Sequence, residues 1–235
     1  MNTPAELKPH SADMLRPLIA VDVVLLTIDE AKLKTLLLKR SEASELWGLS
    51  GGFICEDESL EAAAERVLQD KLGLKGLFLE QLYTFGGPNR DPRERVISVS
   101  YYALIPAKDL AKAKGEVLLA DVNVPWAGEK GGAVSVSHGG KTLKLAFDHA
   151  DILGLTVKRL RGKLNYSPIG FELLPKQFTL RQLQDVHEAI LDKKLNKDSF
   201  RRRMLASKFV KATGRLERNV THRPAELYTF LRKAF

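Results

Sequence analysis

Three arginines in a short stretch of the chain are the residues best suited to bind a charged ligand. Arg90, Arg93 and Arg95 follow two glycines and a proline, so they lie in a predicted loop. The forked guanidinium group matches the oxygens of a phosphate, and Phe85 or Tyr83 just before the loop could stack on a base. The pattern therefore predicts a phosphate-bearing ligand, with a solvated charged turn as the alternative.

A second candidate is the segment from Gly52 to Leu74, which combines a loop with a predicted helix. Gly52 is followed after five residues by Glu58 and after seven more by Arg66, and Gly73 stands just before the end of the segment. This long, well-spaced pattern resembles the Nudix box. The six residues that end at Gly52 also resemble the stretch preceding that box, with a serine in the place of the usual proline.

The resemblance to Nudix domains covers about residues 15–160 and implies an α/β/α sandwich around a mixed sheet. In Nudix hydrolases, three glutamates at positions i, i+3 and i+4 of a helix hold Mg²⁺ against a pyrophosphate. The corresponding residues here are Val67, Asp70 and Lys71. Valine cannot ligate a metal, and the lysine places an ammonium group where the cation belongs. We therefore expect no hydrolysis, no bound metal and no catalytic residue.

The other residues of the motif can serve binding or structure. Glu58 and Arg66 are expected to pair and to brace the loop against the helix, or else Arg66 contacts a ligand phosphate. The arginine-rich loop resembles the corresponding loop of Nudix proteins that recognise ADP-ribose. The resemblance thus implies ADP-ribose as an effector ligand, with no cofactor. The residues assigned to its binding are Arg40, Arg66, Phe85, Arg90, Asp91, Arg93 and Arg95.

The positive charge of the chain is concentrated in its last quarter. Residues 175–235 contain 15 Lys and Arg against 6 Asp and Glu, whereas the other 174 residues carry 22 against 23. Such segregation is the footprint expected of a nucleic-acid-binding module, and a solvated basic face is the alternative.

Two short helices joined by a turn are predicted in this quarter, over residues 179–192 and 198–207. Apolar residues recur on one side of each helix, and Phe200 and Met204 are expected to face inward. A two-stranded segment with a hairpin tip at residues 215–224 follows. Together these elements predict a winged helix–turn–helix that binds double-stranded operator DNA. The residues assigned to DNA contact are Thr179, Arg181, Gln184, Asn196, Lys197, Ser199, Arg201, Arg202, Arg203, His222 and Arg223.

The order of the two modules carries further information. A Nudix-like domain with an impaired metal site, followed by a winged helix, resembles the Nudix-related transcriptional regulators of bacterial NAD metabolism. Residues 145–149 and 221–225 support the same resemblance. It implies a homodimeric repressor of NAD biosynthesis or salvage genes, in which ADP-ribose weakens binding to a palindromic operator.

The elements that position these residues indicate an α/β fold. Strands are predicted over residues 18–28, 33–39, 77–85 and 95–105, and helices over residues 58–72 and 149–164. Residues 107–147 give weaker patterns, with a hairpin near Gly139 and Gly140. We assign residues 1–160 to the ligand-sensing Nudix-like domain and residues 161–235 to the DNA-binding domain.

Composition excludes several other classes of protein. The 235 residues are 44% hydrophobic and 28% charged, as in globular domains. The one cysteine, Cys55, excludes an intrachain disulfide and a cysteine-based zinc site and fits the cytoplasm. The longest apolar run, residues 17–28, contains Asp22 and is too short to span a membrane.

Two other functions compete with the regulator hypothesis. The first is a Nudix pyrophosphohydrolase acting on ADP-ribose or a related nucleoside diphosphate derivative. The second, an RNA-binding adaptor, is the weaker of the two, because no aromatic-rich sheet surface for stacking single-stranded bases is evident.

Overall fold

The computed structural model describes residues 16–41, 44–164, 166–221 and 223–231. The predicted DNA contact at His222 lies outside these residues. The first 145 residues supply the strands β1 Leu18–Asp29, β2 Lys32–Lys39, β3 Leu46–Gly48, β4 Ser50–Phe53, β5 Glu80–Phe85, β6 Val96–Leu104, β7 Val117–Asn123, β8 Ser135–His138 and β9 Lys141–Leu145. The helices are α1 Leu60–Leu72, α2 Ala107–Leu110, α3 His149–Lys163, a 3₁₀ helix Pro168–Leu173, α4 Leu180–Leu191 and α5 Lys197–Ala206, and the chain ends with β10 Val210–Leu216 and β11 Glu226–Phe230.

The nine strands β1–β9 form one mixed sheet, as the resemblance implied. Strand β1 is central: it runs parallel to β6, while its first half pairs antiparallel with β4 and its second half with β2. Helices α1 and α2 cover one face of the sheet, and α3 covers the other. Because both faces are covered, β1 is apolar almost throughout rather than alternating. The predicted α/β/α sandwich is confirmed.

Helix α1 shows how the motif segment is built. The Ser59 side chain accepts a hydrogen bond from the Ala62 amide, so the helix begins at Leu60 and not at Glu58 as predicted. At the other end Gly73 adopts a left-handed conformation with φ of 67°, and its amide bonds the Gln69 carbonyl. The predicted stop at Gly73 is therefore confirmed, and Glu58 is left outside the helix for another role.

The C-terminal quarter forms a winged helix–turn–helix with its own apolar cluster. Thr179 and Gln182 form a reciprocal capping box at the start of α4, and Asn196 caps α5. Phe200 and Met204 face inward, as predicted, and pack with Phe171, Phe178, Leu180, Leu183 and Tyr228. Strands β10 and β11 pair antiparallel and form the base of the wing.

The winged helix also packs against the sheet domain. Val186 and Ile190 of α4 belong to the same apolar cluster as Leu160 and Leu164 at the end of α3. The predicted domain division after residue 160 falls inside α3, which ends at Lys163. Within the described ranges, no helix is long and apolar enough to cross a membrane.

Candidate functional site

A cleft of about 220 Å³ opens where β1, β4, the arginine-rich loop and the start of α3 meet. Four of the seven predicted ligand residues line it, and so do several residues that were not assigned to ligand binding. The lining side chains that carry charge or aromatic rings are Asp22, Arg40, Phe53, Lys71, Arg90, Asp91, Arg93, Phe147 and His149. The cleft thus carries four cationic side chains against two carboxylates, together with two phenylalanine rings, which is the chemistry expected for an aromatic-bearing phosphate compound.

A buried carboxylate forms the floor of the cleft. Asp22 accepts hydrogen bonds from Ser98 Oγ at 2.6 Å and Arg90 Nη2 at 3.2 Å, and His149 Nε2 lies 3.6 Å from its second oxygen. Burial by itself would raise the pKa of Asp22, but His149, Ser98 and Arg90 together lower it. Gly51 passes directly over this carboxylate, where the Cβ of any other residue would collide with it. Asp22 is therefore a fixed negative charge beneath the cationic groups.

The arginine of the cleft with the most buried side chain is Arg90. It binds Asp148 through two hydrogen bonds, Nε to Oδ2 at 2.9 Å and Nη2 to Oδ1 at 2.8 Å, and its side chain is 5% exposed. Burial lowers the pKa of Arg90, and the bonds to Asp148 and Asp22 more than offset this, so the net shift is upward. Arg90 joins the loop to β1 and to the residue just before α3.

A single aromatic ring holds two further guanidinium groups. Arg40 Cζ lies 4.9 Å and Arg93 Cζ 5.3 Å from the centroid of the Phe147 ring. Phe147 has φ of 51°, a left-handed conformation that is costly for a bulky residue. The strained backbone directs the ring into the cleft between the two arginines and sets where their charges lie.

The positions that would hold Mg²⁺ in a Nudix hydrolase do not fit a metal here. Val67 is 2% exposed and packs in the core against Gly52. Lys71 points toward the loop and donates a hydrogen bond to the Gly51 carbonyl. Asp70 does not line the cleft and lies near Arg66 instead, with 3.9 Å between Asp70 Oδ2 and Arg66 Nη1. Across the described parts of the chain, no group of three or more His, Cys, Asp or Glu side chains could hold a metal ion.

Lys71 is a cation of the cleft whose pKa is lowered. Burial lowers its pKa, and the nearby positive charge of Arg40 lowers it further. A bound phosphate would offset both effects by supplying negative charge at this position. The residue that replaces a metal-binding glutamate is thus suited to contact an anion directly.

The predicted pairing of Glu58 with Arg66 is confirmed. Arg66 donates Nε to Oε2 at 2.8 Å and Nη2 to Oε1 at 2.6 Å, and it also bonds the Phe53 carbonyl at 2.9 Å. The pKa of Glu58 falls to about 2 because of the hydrogen bond from Arg66 and a second one from the Cys55 amide. The pair braces the loop against α1.

Three residues assigned to ligand binding do not line the cleft, and their side chains have other partners. Arg66 is engaged by Glu58. Phe85 packs on the core beside α3 and meets Tyr83 edge-on. Arg95 uses both terminal nitrogens to bond the Gly86 and Gly87 carbonyls, each at 2.9 Å, and so closes its own loop. All three hold the walls of the site in place.

Four charged or aromatic cleft residues were missed by sequence reasoning: Asp22, Phe53, Phe147 and His149. Asp22 stood out only as a charge within an apolar run, and that interruption of a buried strand was a usable signal. Phe147 and His149 follow β9 in a region of weak patterns, so no local feature indicated their proximity to the arginine-rich loop. His149 accepts a hydrogen bond from the Leu49 amide at 3.1 Å, which ties the two halves of the cleft together.

The basic surface of the winged helix lies on α5, on the start of α4 and beside the wing. Most of the predicted DNA contacts are exposed there: Arg181, Asn196, Lys197, Ser199, Arg201, Arg202, Arg203 and Arg223. Arg203 leans over the Phe200 ring, with Cζ 5.4 Å from its centroid. Arg181 pairs with Asp185 at 2.9 Å.

Two predicted DNA contacts have structural roles instead. Thr179 is 3% exposed, and its hydroxyl accepts the Gln182 amide in the capping box. Gln184 is also 3% exposed and donates its amide to Glu188 Oε1 at 2.7 Å and to the Leu195 carbonyl at 3.0 Å. These bonds fix the turn between α4 and α5. Both side chains are therefore largely buried, in contrast to the exposed residues of the basic surface.

Comparison with known proteins agrees with this architecture. The model described as the NUDIX domain matches residues 16–126, and that described as the NrtR DNA-binding winged helix domain matches residues 170–230. A protein of Acinetobacter baylyi described as an ADPR responsive transcriptional repressor is 36% identical, over 94% of this chain and 85% of its own. The structure of Shewanella oneidensis NrtR with a 27mer DNA is 34% identical, with a TM-score of 0.73 over 91% of this chain and 93% of its own.

A Methanocaldococcus jannaschii ADP-ribose pyrophosphatase is 30% identical over 59% of this chain and 72% of its own. The fold and the two matched domains define a class, in which a Nudix domain is joined to a DNA-binding winged helix. Within this class, the chain belongs to the NrtR family.

Proposed function

We propose that the protein represses genes of NAD biosynthesis or salvage and that ADP-ribose, bound in the cleft, weakens its hold on operator DNA. The observation that carries the proposal is the pair Val67 and Lys71, where a core residue and a cation occupy the positions of metal-binding glutamates. The cleft nevertheless keeps its cationic lining. The description of the Acinetobacter baylyi relative, and the DNA in the Shewanella oneidensis structure, support the same function.

The cleft offers a diphosphate several cations at one place. Arg40 and Arg93 lie on the Phe147 ring, and Lys71 lies on α1 across from them. We expect these three side chains, together with Arg90, to contact the two phosphates. Asp22 and Asp91 beneath them keep the guanidinium groups oriented. Binding therefore needs no metal, because the protein supplies the positive charge.

The test combines binding with turnover. The protein is incubated with ADP-ribose and Mg²⁺, and both thermal unfolding and release of AMP are followed. We expect a clear rise in the unfolding temperature, since a ligand at 100 times its dissociation constant adds about 2.7 kcal/mol to stability. We expect no release of AMP. AMP, NAD and nucleoside triphosphates serve as comparison ligands, and no shift with any of them would leave the cleft without a sensing role.

The alternative is a Nudix pyrophosphohydrolase, and the Methanocaldococcus jannaschii relative gives it its support. Under that alternative Asp70 is the surviving metal ligand. Release of AMP and ribose 5-phosphate that disappears in Asp70→Ala would establish the enzyme. The matched control is Asp109→Ala, which removes an exposed carboxylate remote from the motif, on α2.

Assembly and location follow from DNA recognition. A small winged helix reaches few bases, and a two-fold dimer on a palindromic site is the common solution. We propose a homodimer that acts in the cytoplasm, held through the Nudix domains. Light scattering that gives only a 26.2 kDa monomer at concentrations where operator is bound tightly would contradict the dimer.

A further inference from the structure

Helix α3 connects the ligand cleft to the DNA-binding domain. It begins at His149 beside the cleft and ends at Lys163 beside the winged helix. At a rise of 1.5 Å per residue it spans about 22 Å. Its buried side, including Ile152, Val157 and Leu160, packs on the sheet, so the helix moves as one body or not at all.

The cleft end of α3 is held by the arginine that we expect to meet phosphate. Asp148, the residue before the helix, accepts both hydrogen bonds from Arg90. Its side chain is 18% exposed, and it makes no capping bond to the helix. A phosphate that binds Arg90 competes with Asp148 for the same nitrogens and repels its carboxylate. Occupancy of the cleft therefore acts directly on the start of α3.

The other end of α3 is joined to α4 by a buried arginine. Arg161 is 2% exposed and donates Nε to the Ile190 carbonyl at 2.9 Å, in the last turn of α4. The carbonyls at a helix C-terminus carry partial negative charge, and a cation there is favourable. Burial lowers the pKa of Arg161, and the charge of Asp192 opposes that shift. Arg161 is thus an interdomain cap on α4.

The same guanidinium also fixes the loop beside α3. Arg161 Nη1 bonds the Trp126 and Gly128 carbonyls, both at 3.1 Å, and its Cζ lies 4.9 Å from the Trp126 ring centroid. Gly154 of α3 touches the Gly132 carbonyl so closely that a Cβ could not be accommodated. Helix, loop and the end of α4 are therefore joined at one side chain.

We propose that Arg161 is a positioning residue through which α3 transmits occupancy of the cleft to the winged helix. The inference rests on the proposed function and specifies how its two sites are coupled. A shift of the start of α3, caused when phosphate displaces Asp148 from Arg90, moves Arg161 and with it the end of α4. A second cavity, distinct from the ligand cleft and about 580 Å³ in volume, lies beside Arg161. It separates β2 and β7 from α4 and gives α4 space to move.

The test measures coupling rather than either affinity alone. A DNA duplex is first selected from a random library by the unmodified protein. Its dissociation constant is then measured by fluorescence anisotropy with and without saturating ADP-ribose, and the ratio is the coupling factor, about 5- to 150-fold in typical allosteric proteins. ADP-ribose affinity is measured by calorimetry, and folding by urea denaturation.

Two substitutions at Arg161 are compared with a matched control on the same helix. Arg161→Met keeps the volume and removes the hydrogen bonds, and Arg161→Lys keeps the charge but cannot reach three carbonyls. Arg159→Met removes an arginine that bonds the Leu82 carbonyl of β5 at 3.2 Å. We expect the factor to fall to within about twofold of one in Arg161→Met and to an intermediate value in Arg161→Lys. In Arg159→Met it stays as in the unmodified protein.

The cleft end supplies a second test that does not depend on Arg161→Met folding. Asp148→Asn keeps the size of the side chain and removes its charge. We expect tighter ADP-ribose binding, a smaller coupling factor, and no further reduction when it is combined with Arg161→Lys. A full factor in both Arg161→Lys and Asp148→Asn overturns the inference and leaves the proposed function intact. If ADP-ribose has no effect on DNA binding by the unmodified protein, the proposed function fails and this inference with it.

Discussion

Arg90 of the cleft and the arginines of α5 are held in opposite ways. The Arg90 side chain in the Nudix domain is 5% exposed and fixed by Asp148 and Asp22, whereas Arg201 and Arg202 on α5 are exposed. A desolvated guanidinium of fixed direction recognises one small anion of defined shape. Exposed, mobile guanidinium groups suit a polyanion whose phosphates recur along its length. Arg90 thus differs from the arginines of α5 in the burial of its side chain and in the carboxylates that fix it.

The largest expected effect is at Arg90. Arg90→Ala leaves Asp148 without its guanidinium partner and removes one of the groups that stabilise the charge of buried Asp22, so we expect the free energy of unfolding to fall by about 3–5 kcal/mol and ADP-ribose binding to be lost. Urea denaturation and calorimetry measure the two effects. The comparison variant is Arg40→Ala, because Arg40 is an exposed cation on the Phe147 ring. We expect this substitution to weaken ADP-ribose binding and to lower the free energy of unfolding by about 1 kcal/mol or less. Equal stability of the two variants would remove the distinction drawn from burial.

The corresponding change on the DNA side should leave stability unaffected. Arg201→Ala, Arg203→Ala and Arg223→Ala are each expected to alter unfolding by within about 0.5 kcal/mol. Loss of an arginine that reads a base should weaken operator binding by about 1–3 kcal/mol and relax the preference at one base pair. Loss of an arginine that contacts a phosphate should lower the slope of log K against log salt concentration by about one. Binding across a salt series distinguishes them, with ADP-ribose affinity as the folding control. Unchanged operator affinity in all three variants would show that the basic surface of the winged helix is a solvated face that does not contact DNA.

A pH-dependent effect on stability is expected from a histidine beneath the DNA-binding surface. His187 is 4% exposed, its Nδ1 atom has no hydrogen-bond partner within the described ranges, and its ring meets Phe200 at 5.0 Å. Burial, and after it the charge of Arg203, lowers the pKa of His187 to about 4. The unfolded chain therefore binds the proton first as the pH falls, and stability present above about pH 6.5 is lost progressively toward pH 4.

We expect a loss on the order of 2 kcal/mol between pH 7 and pH 4.5 from this group. The difference in unfolding free energy between the protein and His187→Gln, measured across that range, isolates it. Arg203→Ala should reduce the loss, because the second cause of the shift is removed. If the unfolding free energy of His187→Gln depends on pH in the same way as that of the unmodified protein, this histidine does not contribute.

Local patterns predicted most of the elements correctly. Helix α3 was expected over residues 149–164 and spans His149–Lys163, because its apolar residues recur with helical spacing. Residues 107–147 gave only weak sequence patterns. They contain β7, β8 and β9, whose pairing depends on strands distant in sequence. Only the hairpin at Gly139 and Gly140 was visible there, since glycine marks a turn locally.

The site was predicted in part for a similar reason. Residue type indicated that Arg90 and Arg93 are candidate phosphate-binding residues, and both line the cleft. Residue type could not show that Arg95 would turn back on its own loop or that Gln184 would be buried, since both outcomes depend on which backbone carbonyls lie nearby. Arg161 was not singled out at all, because an arginine near a helix end usually faces solvent.

The pairing of β3 with β9 has a consequence for how the protein is made. Leu46 lies beside Lys144, so this pairing closes a loop of about a hundred residues. Contacts so distant in sequence form slowly, because the entropy of closing the loop is lost before the pairing is gained. Phe147 and His149 follow directly after β9 and complete the cleft. A chain still emerging from the ribosome therefore cannot bind the effector until residue 149 has been made and β9 has joined the sheet, so only a finished sensing domain responds to it.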